Sequence, residues 1–181
     1  MDAIEMIKER RSIRKFKNEK VDRDLMKEIV SISRFAPSWG NFQVARYTLV
    51  DDPDLIRKIA DEGVHGFNYN INSLRNAPGV AILSYVKGKS GRLEKIKLQP
   101  NQEHGWELFD TGIACQTFCL ASHAKGIGTV IMGVINQDEI AKIIDLPSDQ
   151  QVSALIAYGY EEIHPKPTRR KDVDEILRFV D

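Results

Sequence analysis

Apolar positions recur at two different periods along the 181-residue chain, and the two periods mark its elements. Ile4 and Ile7 share one face of a short helix over residues 2–9. Leu25, Met26, Ile29, Val30 and Ile32 repeat at helical spacing. With Asp22 placed to cap and Pro37 to stop the chain, they predict a helix over 22–35. Asp54–Asp61 and Asp138–Ile144 read as shorter helices, the second followed by Leu146-Pro147. Runs of β-formers predict strands over 46–51, 79–86, 127–134 and 151–158. Gly79–Val86 is apolar almost throughout, as a strand covered on both faces should be. The longest apolar stretch, Leu108–Ala124, lies inside a predicted helix over 104–124. Asp110, Gln116 and His123 make it too polar, and its length too short, for a bilayer. It reads as a helix buried in a core or at a subunit interface.

The remaining segments are less regular. Residues 64–78 predict irregular or weakly helical structure, and 87–102, with Gly88, Gly91 and Pro100, a loop or lid insert. Pro165 and Pro167 stiffen an extended basic arm over 164–171. A last helix is expected over 172–179, with Val173, Ile176, Leu177 and Val180 packing to pin that arm, so that 164–181 forms a C-terminal unit of arm and helix. Helices and strands mix without βαβ alternation. The fold class is therefore α+β: one domain over 1–181, with a mostly antiparallel or mixed sheet flanked by helices. Gly126-Ile127-Gly128 precedes a strand, the wrong context for a dinucleotide-binding turn.

Charge narrows the partners. Lys plus Arg and Asp plus Glu number 26 each, so nothing draws the whole chain to nucleic acid or to a membrane, and any anion site must be local. Hydrophobic residues at 42% are enough for a core. No signal-peptide pattern opens the sequence. Cys115 and Cys119, four apart on a helix, are badly placed for a disulfide and too few for a zinc site. They read as buried thiols in a cytoplasmic protein.

Four constellations could carry chemistry. Arg10-Arg11-Ser12-Ile13-Arg14 offers three guanidinium groups and a hydroxyl within five residues, a set suited to phosphate oxygens. If the backbone is extended, Arg10, Ser12 and Arg14 share a face and Arg11 points the other way. Alone, the run reads as a solvated charge patch more readily than as a site. Pro37-Ser38-Trp39-Gly40-Asn41-Phe42-Gln43 is a tight loop of neutral donors and acceptors that suits an uncharged heterocycle, with Trp39 and Phe42 able to stack or to pack. Lys166-Pro167-Thr168-Arg169-Arg170-Lys171 gives a second cationic spot. Gly128 and Gly133 flank a strand where backbone could approach a flat ligand, although such glycines can also mark a bulge.

In their order these segments resemble the nitroreductase family of FMN-dependent oxidoreductases. Arg-Arg-Ser-Ile-Arg-x-Phe follows a first helix, and Pro-Ser-x-x-Asn-x-Gln a second. Then come Asp110, Gly112, Ala114 and Gln116 on the long helix, Gly126-x-Gly128-Thr129, a strand ending Tyr158-Gly159-Tyr160, and the Pro-Lys-Pro arm. The resemblance implies an intertwined homodimer with FMN at its interface. It implies Arg10, Ser12 and Arg170 at the phosphate, with Arg169 the alternative to Arg170 and Arg11 beside them in the same run. Arg14 would lie near the N1–C2=O edge of the flavin, where a cation stabilises the anionic reduced form. Ser38 and Asn41 would come from the partner subunit, with Pro37 and Gln43 shaping the same wall. The Met132–Gly133 backbone would lie against the ring near N5, and Asn70 at its pyrimidine edge.

The implied chemistry is ping-pong. NADH or NADPH delivers hydride to N5, and a nitroaromatic, quinone or similar small acceptor removes it. No side-chain nucleophile is required, and His65 and His104 are only nominal proton donors. Three departures bear on the site. Val44-Ala45-Arg46 replaces the family's usual Pro-Trp or Pro-Arg continuation after Gln43. Trp39 stands where a small or polar residue is usual, and Ser73 where some members carry a second lysine. The alternatives are a same-fold dehalogenase or enoate reductase, a non-catalytic flavin-binding redox sensor, and a module that binds anions through its basic clusters.

Overall fold

The computed structural model describes residues 2–92 and 105–180. Part of the 87–102 segment, and His104, lie outside them. Six α-helices are described: α1 (Ala3–Glu9), α2 (Arg23–Ser33), α3 (Pro53–Glu62), α4 (Asn68–Arg75), α5 (Trp106–Ala124) and α6 (Gln137–Ile143). The strands are β1 (Ala45–Val50), β2 (Gly79–Val86), β3 (Gly128–Met132) and β4 (Gln150–Gly159). They form one antiparallel sheet in the order β1-β2-β4-β3, the α+β arrangement expected.

Local chemistry sets the helix starts. Asp2 and Glu5 form a reciprocal capping box at α1. Asp22 accepts from the amides of Asp24 and Leu25, and Asp52 from those of Asp54 and Leu55, with Pro53 in the first turn of α3. The α4 sequence is poor in strong helix formers, yet Ser73 and Leu74 are buried, and their packing holds a helix where the sequence predicts weak structure.

The sheet divides the core in two. β2 is buried at all eight positions, and its side chains alternate between the layers. Val80 and Ile82 join Ile56, Ile59, Leu74 and Leu155 on the α3, α4 and α6 side. Ala81 and Leu83 join Met26, Ile29, Phe118 and Ile156 on the α2 and α5 side. Cys115 and Cys119 are free and buried in this second layer, as the sequence predicts. Mutual hydrogen bonding and burial push the Cys115 thiol up, and Cys115 holds Cys119 down. We expect neither thiol to react with Ellman's reagent in the native protein and both to react in denaturant, which a thiol titration checks.

Two sequence expectations are corrected. Residues 172–179 are not a helix: one 3₁₀ turn, Val173–Glu175, is all that forms, and Val173, Ile176 and Val180 remain exposed. The apolar spacing is real, but among the described residues those side chains find no surface to pack on. Gly128 does not make room for a flat ligand. A Cβ there would stand 2.7 Å from Ile13, so the glycine admits the Ile13 side chain to the core.

Candidate functional site

The arginine run leaves α1 in extended backbone and lies beside the open edge of the sheet. Ser12 forms a parallel bridge with Thr129, and Ile13 N–H donates to Thr129 C=O at 2.9 Å. Ile13 is buried while Arg14 is exposed, which is the alternation expected of the strip. Because the pairing is parallel, Arg14 lies further toward the end of β3, where Met132 is buried and Gly133 exposed. A Cβ at Gly133 would meet nothing within 4 Å. Asn70 reaches the same end and donates its amide N–H to Val134 C=O at 3.4 Å.

Arg11 shares a cleft with Arg10, against the opposition that alternation predicts for the two. Its guanidinium donates to the Lys8 and Arg10 carbonyls and lies 3.6 Å from Glu9. Arg10 and Arg11 line a cleft of about 200 Å³ with His123, Thr129, Glu161 and His164. Three buried polar atoms in this cleft lack a partner: Arg11 Nε, His123 Nε2 and Thr129 Oγ1. Buried polar atoms are rarely left unpaired, and four of the six named side chains are basic, so the donor set fits an anion such as a phosphate. Burial, then the neighbouring cations, hold His123 below the usual histidine range. The sequence had marked His123 only as a polar interruption of the long helix, and Thr129 only as part of a motif.

The basic arm begins beside the strip. Lys17 N–H donates to Tyr160 C=O, and Glu162 N–H to Lys15 C=O. Beyond it, Arg169 and Arg170 are exposed, and Arg170 bonds Thr168. Neither lines the cleft that holds Arg10.

The neutral loop is built by a different set of contacts. Gly40, Asn41 and Gln43 all have left-handed backbone, with φ of 54°, 57° and 50°. For Gln43 this is strained, by roughly 1 kcal/mol or more, and such strain concentrates at functional sites. The Gln43 N–H donates to Ser38 Oγ at 2.8 Å, closing the loop on itself. Asp110, buried on α5, accepts the Trp39 N–H at 2.9 Å through one oxygen and the Ser90 hydroxyl through the other. Glu107, one turn earlier, accepts the Gly88 N–H at 2.7 Å. Pro37, Ser38 and Gln43 line a mostly apolar groove of about 310 Å³, shared with Arg34, Tyr47 and Asp110.

These two halves do not meet within one chain. Asp110 ties the loop to the start of α5, whereas His123 marks the cleft at its end. The two residues are thirteen positions apart on one helix, about 20 Å at ~1.5 Å per residue. The structure thus gathers Arg10, Ser12, Arg14, Asn70, Met132 and Gly133 along one edge and places Pro37, Ser38, Asn41 and Gln43 elsewhere.

The chain belongs to the nitroreductase family, whose profile matches residues 7–160. It is 29% identical over 180 residues to a protein of Methanothermobacter thermautotrophicus that bears the name NADH dehydrogenase/NAD(P)H nitroreductase, covering 97% of this chain and 86% of that one. An iodotyrosine deiodinase of Thermotoga neapolitana is 23% identical over 195 residues, covering 97% and 96%. The fold superposes with a TM-score of 0.85 on a protein of Exiguobacterium sibiricum crystallised in complex with FMN, at 19% identity and with 99% and 98% of the chains covered. No helix among the described residues is long and apolar enough to cross a membrane.

Proposed function

We propose that this protein is an FMN-dependent oxidoreductase that carries hydride from NADH or NADPH to a small organic acceptor and works as a cytoplasmic homodimer, each chain forming one domain. The observation that carries the reading is the cationic strip running from a donor-rich cleft to the open backbone at Gly133, in a nitroreductase fold. Bound FMN would supply the hydride chemistry, taking two electrons from the nicotinamide and releasing them to the acceptor.

The chain's own residues bind, orient and tune. Arg10 and Ser12 would hold the phosphate, joined by Arg170, or Arg169, once the exposed arm closes. Arg11, whose unpartnered Nε lies in the same cleft as Arg10, would add a donor there while Glu9 holds its other end. Arg14 would sit at the ring's carbonyl edge and stabilise negative charge there. The Met132–Gly133 backbone would support the ring, with Asn70 at its rim. Pro37, Ser38, Asn41 and Gln43 would come from the partner subunit.

The ~20 Å between the two halves supports a site shared across a dimer. So do the exposed apolar side chains: Leu108 and Phe109 on α5, and Phe179 and Val180 on the tail.

The test is spectroscopy followed by turnover. The purified protein is expected to be yellow, to show the oxidised-flavin band, and to oxidise NADH or NADPH with menadione or nitrofurazone. Bound flavin with no turnover from either donor would defeat the oxidoreductase reading in favour of a sensor. A colourless protein that takes up no FMN would defeat the cofactor reading itself. The deiodinase-named relative favours a second reading, reductive dehalogenation on the same fold, which halide release from an iodinated phenol would reveal.

A further inference from the structure

The cleft beside the arginine run is short of positive charge. Within it, the Arg10 and Arg11 guanidinium groups stand against one carboxylate, Glu161, which leaves a single net positive charge. Glu9, 3.6 Å from Arg11, screens part of that. A phosphate monoester near neutral pH carries closer to two negative charges. The group placed to make up the difference is His123. It stands in the last turn of the 19-residue helix α5, where the carbonyl end of a helix favours a cation. Its Nε2 is buried and has no partner among the described residues. The charged and titratable groups that face it from other elements are Arg10 and Arg11, after α1, and Glu161 and His164, after β4. β3 adds only the neutral Thr129 and its backbone. His164 Nδ1 lies 3.1 Å from Glu161 and occupies that carboxylate. On its own helix Cys119 is buried one turn back, and Lys125, just beyond, pairs with Glu28. Burial is the largest influence on His123 and holds it below the usual histidine range; Arg10, His164 and Arg11 act the same way, and Glu161 against them. Without an anion beside it, the imidazole is neutral near pH 7.

We propose that His123 is a further phosphate-binding side chain: it takes up a proton as a phosphate monoester enters the cleft and donates its Nε2–H to that ester. The proposal rests on the reading that the flavin phosphate is held beside Arg10, and it adds a proton-linked donor to that site. A dianion next to the imidazole reverses the field of the two guanidinium groups, so the occupied cleft prefers imidazolium. One solvent proton moves to His123, and no bond to phosphorus forms or breaks. Binding that takes up a proton strengthens as pH falls through the histidine range and weakens as pH rises. The arginines do not titrate there, and riboflavin has no phosphate to drive the uptake.

The test titrates the full-length chain with FMN and with riboflavin, by flavin fluorescence, at about pH 6.5 and about pH 8.5. Both values lie above the ester's own second ionisation, at about 6. We expect the preference for FMN over riboflavin to be about tenfold greater at the lower pH, as one group whose titration differs by about one pH unit between the free and occupied cleft produces. His123→Gln keeps an amide donor but cannot titrate, and should bring the two preferences to within about twofold of each other. His164→Gln, at an exposed residue already engaged by Glu161, should keep most of the difference. Calorimetry of the unaltered protein in buffers of different ionisation enthalpy gives a second readout. Near neutral pH, FMN binding should take up roughly half a proton and riboflavin binding none.

A preference for FMN that is the same at both pH values, or binding without proton uptake, overturns the proposal while leaving the phosphate beside Arg10. A pH dependence that survives His123→Gln overturns it as well, whichever other group carries the proton. Equal binding of FMN and riboflavin overturns it together with the phosphate reading beneath it.

Discussion

Arg10→Ala is expected to weaken FMN binding about 100-fold while leaving riboflavin binding nearly unchanged. Arg10 ends α1 and lines the cleft with Thr129 and His123, and among the described residues it makes no ion pair. Its guanidinium is therefore free for a phosphate. A forked donor on a dianion is worth more than a neutral hydrogen bond, and removing one partner of such a pair costs about 2–5 kcal/mol. A loss near the low end is the 100-fold stated. Riboflavin lacks the phosphate and serves as the internal control. Flavin fluorescence titration of both ligands gives the answer. Equal losses for the two would mean that Arg10 supports the fold or the ring and not the phosphate.

Asp110→Ala should cost about 3 kcal/mol of stability and release the 37–43 loop. The carboxylate is 3% exposed and accepts from two donors on different segments, the Trp39 amide and the Ser90 hydroxyl. Alanine leaves both donors without an acceptor and opens a small void, two penalties that add. Asp110→Asn keeps one carbonyl oxygen for Trp39 and loses the acceptor for Ser90, so a loss about half as large is expected. Urea unfolding followed by far-UV circular dichroism measures both. An Asp110→Ala protein within about 0.5 kcal/mol of the parent would show that the loop stands without its anchor. The alanine variant should also bind FMN more weakly, since the loop forms the partner's wall of the proposed site.

Much of the fold was legible in the chain because its signals were local and agreed with one another. Asp22 and Asp52 cap the helices that follow them, and the unbroken apolar run of β2 matched a strand covered on both faces. What failed to show depended on distant partners. Residues 173–180 carry helical spacing but find no surface to pack on among the described residues. Helix α4 has weak propensity and is held by the packing of Leu74. Gly128 looked like a ligand-facing glycine because nothing in its neighbourhood announces that Ile13 will press on it. At the site, alternation separated buried Ile13 from exposed Arg14 but misplaced Arg11, which lines the same cleft as Arg10. Asp110 could be seen as an odd polar residue in an apolar helix, but its partner Trp39 is 71 residues away.

The length of α5 has a consequence for how defects combine. A chain damaged at Arg10 still presents an intact loop, and a chain damaged at Asn41 still presents an intact strip. Mixed in the proposed dimer, two such chains would place both lesions at one site and leave the other built wholly from undamaged halves. Two inactive alleles of this protein should therefore rescue each other, whereas two lesions within the same half should not.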